Sequence, residues 1–330
     1  MGSRLLFVTQ QIDPAHPALA AAVPMISALA ARVDEVVVLT DRAVDGVLPD
    51  NCRVRLYGAG SRVGRGGRYA HALNAELAPK PLAVLVHMTP LLAVLAAPLT
   101  RPRNVPLLLW FTHWKVTRRL RLAERLATAV LTVDRRSFPL SSPKVVPIGH
   151  GIDMNAFPCV TREPAPRLRA IALGRTSPAK GLETIVRAAE LAGADLELRG
   201  PSLTAEERRE AERLRALGAR LEPPVPHSQI PALLAEKDVL VNNMREGALD
   251  KVVYEAAATC MPVLASNRGF DDVLPPELRF TRDDPLDLAE RLRSLAGLDR
   301  NALGRELRAR VAERHSVEHW ADQVLVVAAR

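Results

Sequence analysis

The sequence predicts an α/β protein made of two domains, each built on a doubly wound parallel sheet. Short runs rich in Val, Ile and Leu alternate with helical patterns along the chain, which is typical of parallel sheets covered by helices on both faces. The length of 330 residues suffices for two hydrophobic cores. A hydrophobic content of 48% is ordinary for a globular protein.

The predicted strands fall into two sets. The first set lies at 5–9, 35–40, 53–57, 82–86, 107–111, 129–133 and 145–148. The second set lies at 170–174, 195–199, 219–221, 238–242 and 262–265, with a weak candidate at 279–280.

A polar, proline-containing segment separates the two sets. Segment 157–167 has no periodicity of its own, so we expect one domain over 1–157 and a second over 158–315. The last stretch has apolar residues on one helical face and predicts an amphipathic helix over 316–330.

The cysteines and the start of the chain bear on the compartment. Cys52, Cys159 and Cys260 stand far apart without a C-x-x-C pair, which argues for a reducing cytoplasm and against a disulfide framework or structural zinc. The N-terminus lacks the pattern of a signal peptide, and no apolar run reaches the roughly 18 residues of a membrane span. We therefore expect a cytoplasmic protein without a transmembrane helix.

Positive charge is concentrated in the first half. Residues 1–150 carry 19 basic and 9 acidic side chains, whereas residues 151–330 carry 26 and 28. Such a face suits a phosphate-bearing substrate or peripheral contact with an anionic membrane. Nucleic acid is disfavoured as a partner, because aromatic residues make up only 4% of the chain. One predicted helix contributes several of the basic residues: Arg118, Arg119, Arg121 and Arg125.

The loop after the first strand contains no glycine, which counts against a nicotinamide or flavin oxidoreductase with a G-x-G-x-x-G loop. Asp13 and His16 lie on this loop and are candidate contacts for a substrate hydroxyl, although we favour turn formation beside Pro14. The glycine- and arginine-rich segment 58–68 lacks the spacing of a Walker loop, and we predict a mobile basic loop there.

A helix with almost no polar side chains follows the polar loop that begins at residue 242. Glu255 stands out in this helix, because an ionised carboxylate is costly to bury without a partner. A ligand hydroxyl is one candidate partner, and Lys251, four residues earlier, is the other. Asp250 is placed to cap the helix, whose first N–H groups would then form a phosphate site.

A second phosphate signal follows the predicted strand 170–174. Gly174, which ends the strand, is followed by Arg175, a proline-led helix start and Lys180. Arginine engages two phosphate oxygens at once and lysine adds a point charge, so this strand end suits a diphosphate.

The stretch 241–266 resembles the donor-site signature of the group-1, family 4 glycosyltransferases. Glu255 matches the second of two glutamates that family members place at a fixed spacing, and Pro262-Val263 matches the strand that follows. The first glutamate does not match, since strict spacing lands on Gly247 and Glu246 stands one residue early. The run LDKVVYEA instead resembles a branch of the family with Asp-Lys ahead of the helix.

The resemblance implies the GT-B fold, in which two Rossmann-like domains face each other across a cleft. It implies a retaining transfer of sugar from a nucleoside diphosphate to an acceptor hydroxyl or amine. Arg175 and Lys180 would then bind the donor's diphosphate and neutralise it as it leaves. Glu255 would hold the ribose, and Asp250 and Lys251 would orient the sugar.

Several histidines gain a role through the same resemblance. His113, at the end of strand 107–111, would reach the donor sugar and, with Arg175 and Lys180, be a catalytic candidate. His227 would lie near the base. Asp13, His16 and His150 would lie on the acceptor side, and the helix over 316–330 would pack back on the first domain.

No cofactor and no metal ion are expected, because no Asp-x-Asp motif is present. The expected partners are a nucleotide-sugar donor and a small-molecule, lipid-linked or polysaccharide acceptor. Two alternatives stay open: a nucleotide-sugar epimerase or hydrolase of the same fold, and a catalytically weak, basic binding or scaffold protein.

Overall fold

The computed structural model describes residues 2–16, 19–163 and 165–330. The chain forms two compact units. Unit 1 consists of Met1–Gly151 together with His315–Arg330, and unit 2 is Ile152–Arg314.

Unit 1 is built on a seven-stranded sheet in which every pairing is parallel. Its strands and the short flanking pair are β1 (Arg4–Val8), β2 (Gln11–Ile12), β3 (Glu35–Thr40), β4 (Arg42–Ala43), β5 (Cys52–Leu56), β6 (Val84–His87), β7 (Leu107–Trp110), β8 (Ala129–Thr132) and β9 (Val145–Pro147). The sheet order is β5-β3-β1-β6-β7-β8-β9, while β2 and β4 pair separately. The parallel sheet confirms the predicted fold class; the β2–β4 pair was not predicted.

Four helices of unit 1 precede the second unit: α1 (Ala22–Ala30), α2 (Arg62–Glu76), α3 (Pro90–Thr100) and α4 (Arg118–Leu126). The predicted mobile loop at 58–68 is wrong, because α2 begins at Arg62. Ser61 caps this helix by accepting a hydrogen bond from the Gly64 N–H at 3.0 Å. The buried side chains of Tyr69 and Leu73 hold α2 on the sheet and offset the low helix propensity of its glycines.

Unit 2 carries a smaller parallel sheet. Its strands are β10 (Arg169–Leu173), β11 (Asp195–Arg199), β12 (Leu221–Glu222), β13 (Val239–Asn242) and β14 (Val263–Ala265), in the order β12-β11-β10-β13-β14. Its helices are α5 (Leu182–Ala192), α6 (Ala205–Ala216), α7 (Ile230–Ala235), α8 (Lys251–Ala258), α9 (Pro285–Ala296) and α10 (Arg300–His315). The weak strand predicted at 279–280 is reduced to one bridge between Ala265 and Arg279.

The last helix, α11 (Val317–Ala328), belongs to unit 1 and packs on α1. Its buried Trp320 meets Trp110 of β7 edge to face, with ring centroids 5.6 Å apart. Arg32 forms an ion pair of 2.5 Å with Asp322 beside this contact. The apolar face of α11 therefore completes the core of unit 1.

The division between the units falls between Gly151 and Ile152, six residues before the predicted boundary after Phe157. Phe157 is buried in unit 2, where its ring contacts His227 edge to face at 5.9 Å. Its carbonyl accepts a hydrogen bond of 2.5 Å from Arg308 on α10. These contacts tie the segment before the polar stretch to the second unit.

A buried guanidinium anchors the next part of this segment. Arg162, only 4% exposed, donates to five backbone carbonyls of unit 2 at 2.7–3.2 Å. Burial lowers the pKa of Arg162 to about 10, and the nearby Asp238 opposes that shift. The acceptors are the carbonyls of Val160, Leu234, Lys237, Thr259 and Cys260.

The sequence-based expectation of unpaired cysteines is wrong for two of the three. Cys159 and Cys260 form a disulfide across a Cα–Cα distance of 4.9 Å, although they are 101 positions apart. The fold brings the segment before β10 against the end of α8, a proximity that cysteine spacing does not reveal. Cys52 is free and half-buried. Among the described residues, no helix is long and apolar enough to cross a membrane.

Candidate active site

The candidate site lies at the carboxyl ends of β10 and β13, the two strands at which the strand order of unit 2 reverses. Ligands of open parallel sheets bind at such a point, because the loops leaving the two strands diverge and open a crevice. The predicted residues Gly174 and Lys180 follow β10. Asp250, Lys251 and Glu255 follow β13 and begin α8.

Lys180 ends a short 3-10 turn, Pro178–Lys180, and its side chain folds back onto the strand end. Its ammonium donates to the Leu173 carbonyl at 3.0 Å and to Asp250 Oδ2 at 2.5 Å. Asn242, the last residue of β13, donates from Nδ2 to the same carboxylate oxygen at 2.8 Å. A lysine and an aspartate from different strand ends thus form one hydrogen-bonded group.

Gly174 is the residue that makes room for this group. Its φ of +115° is a conformation that side chains rarely adopt, and a Cβ there would lie 2.7 Å from Lys180 Nζ. A side chain cannot fit at Gly200 either, because its Cβ would lie 2.0 Å from the Gly174 carbonyl oxygen. The backbone of β10 and the loop after β11 therefore approach each other too closely for any side chain.

Asp250 occupies the position before α8, but the expectation that it caps the helix is wrong. Its side chain makes no capping hydrogen bond and is held instead by Lys180 and Asn242. The nearby ammonium offers the carboxylate a charged partner, which a backbone N–H of α8 cannot. The start of α8 is left without a side-chain cap.

Glu255 is buried, with 4% of its surface exposed. Lys251, one turn earlier, lies 2.9 Å from Glu255 Oε1, and His227 Nε2 lies 2.8 Å from the same oxygen. Burial alone would raise the pKa of Glu255, but Lys251 and His227 outweigh it and hold that pKa at about 2. Glu255 is therefore an ionised carboxylate kept inside unit 2 by two cationic or hydrogen-bonding neighbours.

The loop between β13 and α8 is fastened by a residue that the sequence analysis missed. Asn267, almost fully buried, donates to the carbonyls of Arg245 and Ala248 at 2.8 and 2.9 Å. Glu246 accepts a hydrogen bond of 2.8 Å from the Arg268 N–H, and Gly247 has a φ of +79°. These hydrogen bonds fix the conformation of the loop, whose backbone leads into the start of α8.

Asn243 is a second residue that was missed. It is buried and donates to the Gly181 carbonyl at 3.1 Å and to Asp283 Oδ1 at 2.9 Å. A Cβ on Gly181 would lie 2.3 Å from the Asn243 amide nitrogen. Two consecutive asparagines at the end of a buried apolar strand are a usable sequence signal for such a site, because buried amides require partners.

The fold has close structural relatives. Sucrose-phosphate synthase from Thermosynechococcus elongatus superposes with a TM-score of 0.75 and 20% identity, over 98% of this chain and 97% of that one. HepE from Anabaena, in complex with UDP and glucose, superposes with a TM-score of 0.73 and 18% identity over 97% of each chain. AviGT4, a glycosyltransferase involved in avilamycin A biosynthesis, gives 0.71 and 18% over 99% and 97%. These likenesses show the GT-B fold.

Residues 175–326 match the family model described as glycosyl transferase-like. The matched segment is somewhat less than half of the chain, and the structural likenesses show the GT-B fold over nearly its whole length. No curated protein matches its sequence. The matched segment begins at Arg175 and includes the Lys180–Asp250 group and Glu255, so these site residues lie within the part of the chain that matches the family model.

Arg175 is placed differently from Lys180. Its guanidinium lies 3.3 Å from Glu207 Oε1 at the start of α6, and 54% of its side chain is exposed. Lys180 turns toward Asp250 instead. The two predicted phosphate-binding cations thus share a strand end without sharing a partner.

His113 lies in unit 1, where it follows the carboxyl end of β7 and is exposed. Its Nδ1 accepts a hydrogen bond of 3.0 Å from the Lys115 N–H, and its ring stacks on Trp114 with centroids 5.5 Å apart. A strand end is where the sequence analysis placed this histidine.

Asp13 and His16 both take part in turn formation, the interpretation that the sequence favoured. Asp13 Oδ1 accepts from the Ala15 N–H at 2.8 Å, and His16 Nδ1 accepts from the Leu19 N–H at 3.0 Å. His16 also lines an open pocket of about 610 Å³ in unit 1. His150 is 8% exposed and precedes Gly151, whose backbone lies against Met25 and Trp320 in the core of the same unit.

Proposed function

We propose that this protein is a glycosyltransferase that transfers a sugar from a nucleoside-diphosphate sugar to an acceptor hydroxyl or amine, with retention at the anomeric carbon and without a metal ion. The observation that carries the proposal is the placement of ionised Glu255 and of the Lys180–Asp250 group at one end of the sheet of unit 2. That end offers both a buried hydrogen-bond acceptor and a cation.

Glu255 is the candidate ribose ligand. Both of its observed contacts, from Lys251 and His227, are made to Oε1. We propose that Oε2 accepts hydrogen bonds from the ribose hydroxyls, because an ionised carboxylate accepts strongly and cannot donate. His227 lies next to the nucleoside in this arrangement, where its ring packs on Phe157.

Lys180 is the candidate partner of the diphosphate. Its ammonium neutralises the charge that develops on the leaving phosphate, a role for preorganised cations in place of a metal ion. Arg175 is the second cation, since its side chain is more than half exposed and can leave Glu207. Asp250 and Lys251, at the start of α8, orient the sugar.

The proposed reaction breaks the bond between the anomeric carbon and the diphosphate oxygen. The acceptor oxygen or nitrogen bonds to the same face of that carbon, and its proton passes to the departing phosphate oxygen. The assignment of His113 to the donor sugar stays a prediction. Catalysis of this kind depends mainly on orientation and on stabilisation of the leaving group.

A UDP-sugar is the first donor to test. The relative from Anabaena is described in complex with UDP and glucose, and its fold matches over 97% of both chains. Calorimetric titration of the full chain with UDP, GDP and dTDP, repeated on Glu255→Ala and Arg175→Ala, measures donor binding. We expect one nucleotide to bind selectively and both variants to weaken it.

The control is Arg208→Ala, an exposed arginine of α6 outside the strand end. It should leave the affinity unchanged. If none of the three nucleotides binds to folded protein, the donor-site proposal fails. NMR analysis of the product's anomeric configuration tests retention, and activity in excess EDTA tests metal independence. Incubation with donor alone separates a transferase from an epimerase or hydrolase, which would convert the donor without an acceptor.

A further inference from the structure

Unit 1 contains an open pocket of about 610 Å³ at the carboxyl ends of β1, β3, β5 and β6. The strand order of this sheet reverses at β1 and β6, so the pocket occupies the position where open parallel sheets bind their ligands. Four arginines line it: Arg42, Arg62, Arg65 and Arg119. We call this the arginine pocket.

The arginines come from three parts of the fold. Arg42 begins β4, Arg62 and Arg65 lie on the first turns of α2, and Arg119 lies on α4. Arg62 and Arg65 are three positions apart, which places them on one face of the helix. Residues far apart in the sequence therefore converge on one space.

The charges in the pocket are not balanced. Arg65 lies 3.3 Å from Asp41, the one carboxylate in the lining. Within the described part of the chain, no ion pair is formed by Arg42, Arg62 or Arg119. Four arginines against one carboxylate leave three net positive charges with His16 neutral. The clustered positive charges repel one another, and a bound anion would relieve this repulsion.

The walls of the pocket are fixed. Tyr57 is buried, and its hydroxyl donates to the Thr9 carbonyl at 2.8 Å, so the ring forms a fixed wall beside β5. Gly66 leaves space where α2 borders the pocket, because it has no side chain. The hydrogen bond between Ser61 and Gly64 holds the start of the helix that presents Arg62 and Arg65. An arginine-rich space with fixed walls is suited to bidentate contacts with phosphate oxygens.

We propose that the arginine pocket binds a phosphate group carried by the acceptor. This inference rests on the proposed function, because it takes unit 1 as the acceptor side of the enzyme. Arg62, Arg65 and Arg119 bind the phosphate, and Arg42 adds to the positive potential. The phosphate belongs either to a small phosphorylated sugar or to the headgroup of a lipid.

The test measures the binding of glucose 6-phosphate to the full chain, with glucose as the neutral control. Titrations are made with and without saturating UDP, so that occupation of the donor site is distinguished from occupation of the arginine pocket. The key variants are Arg119→Ala and its neighbour Arg118→Ala. Both arginines are exposed on α4, but only Arg119 lines the pocket. A double variant, Arg62→Ala with Arg65→Ala, is the second test.

We expect glucose 6-phosphate to bind, glucose not to bind, and the affinity to fall about 10-fold or more in Arg119→Ala and in the double variant. Arg118→Ala should retain the natural affinity. A parallel arm uses vesicles of phosphatidylglycerol in phosphatidylcholine. Binding to these vesicles alone, lost in Arg119→Ala and kept in Arg118→Ala, identifies the phosphate as a lipid headgroup.

Two results overturn the proposal. One is that neither glucose 6-phosphate nor the vesicles bind to the natural protein. The other is that Arg118→Ala and Arg119→Ala weaken binding equally, which indicates a diffuse basic surface. The UDP titration on the same samples tests the donor site separately. If UDP does not bind, the donor-site proposal fails, whereas the glucose 6-phosphate and vesicle results still decide whether the arginine pocket binds phosphate.

Discussion

Lys180 and Asp250 lie 70 positions apart and meet in an ion pair of 2.5 Å at the ends of two adjacent strands. Asn242 binds the same carboxylate oxygen, so Asp250 is held from two sides. In this structure the carboxylate occupies the contact with the ammonium that we assign to the diphosphate of the donor. Donor binding should therefore involve an exchange of partners at Lys180.

Replacing Lys180 should weaken nucleotide binding, whereas replacing Asp250 should not. Lys180→Met removes the cation, and we expect UDP to bind about 10- to 100-fold more weakly, as is usual for the loss of a charged hydrogen bond. Asp250→Asn removes the competing carboxylate, and UDP should bind as tightly or tighter while sugar transfer falls. Calorimetry and a transfer assay measure the two effects. Weaker UDP binding in Asp250→Asn would contradict the exchange.

Gly174→Ala should impair donor binding through Lys180. The added Cβ would lie 2.7 Å from Lys180 Nζ and must displace the ammonium. Gly218→Ala is the matched control, because Gly218 also has a positive φ, +81°, but nothing lies within 4 Å of its Cβ position. Both variants should lose stability through backbone strain, on the order of 1 kcal/mol. Only Gly174→Ala should also lose UDP affinity, and equal affinities in the two folded variants would refute the contact.

The stability of unit 1 should depend on Glu76 in a defined pH range. Hydrogen bonds from Arg53 and Arg55 outweigh burial and hold the pKa of Glu76 at about 2, against 4.5 for an ordinary glutamate. Because the pKa is lower in the folded protein, the stabilisation is complete above about pH 4.5 and disappears as the pH falls toward 2. The shift corresponds to about 3 kcal/mol at most.

Glu76→Gln should accordingly unfold at lower urea concentration than the natural protein at pH 7, and the difference should shrink at pH 3. Glu313→Gln, an exposed glutamate of α10, serves as the control and should behave like the natural protein at both values. A difference between Glu76→Gln and the natural protein that grows on acidification would show that the sign is wrong.

Reduction should lower the stability of unit 2. The Cys159–Cys260 disulfide closes a loop of 101 positions, and cross-links of this length contribute up to about 4–5 kcal/mol by restricting the unfolded chain. Urea unfolding with and without dithiothreitol measures the loss, and Cys159→Ser should reproduce it. Cys52→Ser, which removes the free cysteine, should have no such effect. Three titratable thiols in the denatured, unreduced protein would disprove the bond.

The strands were predictable because parallel strands buried on both faces are continuous apolar runs. β3 and β11 coincide with their predicted bounds, and the other strands of the two large sheets lie within about two residues of theirs, whereas β2 and β4 were not predicted. The start of α2 was mispredicted, since its glycines obscured a pattern that becomes clear only when Tyr69 packs into the core. The sequence named Lys251 as a candidate partner of Glu255, one helical turn away, and the two lie 2.9 Å apart in the structure. The contacts between distant segments were not predicted. The contact of His227 with Glu255, and that of Lys180 with Asp250, depend on how distant segments pack, and local patterns carry no signal for this.

The position of Arg162 has a practical consequence for exchanging parts between related enzymes. Its guanidinium joins the backbone that precedes β10 to the carbonyls at the base of the second sheet, and the nearby disulfide makes the same connection covalently. A segment transplanted from residue 165 onward would lack both connections and leave four carbonyls without the Arg162 donor, those of Leu234, Lys237, Thr259 and Cys260. A transplant that begins at Ile152 and ends at Arg314 keeps them, so chimeric proteins that exchange the second unit should be joined at those two positions.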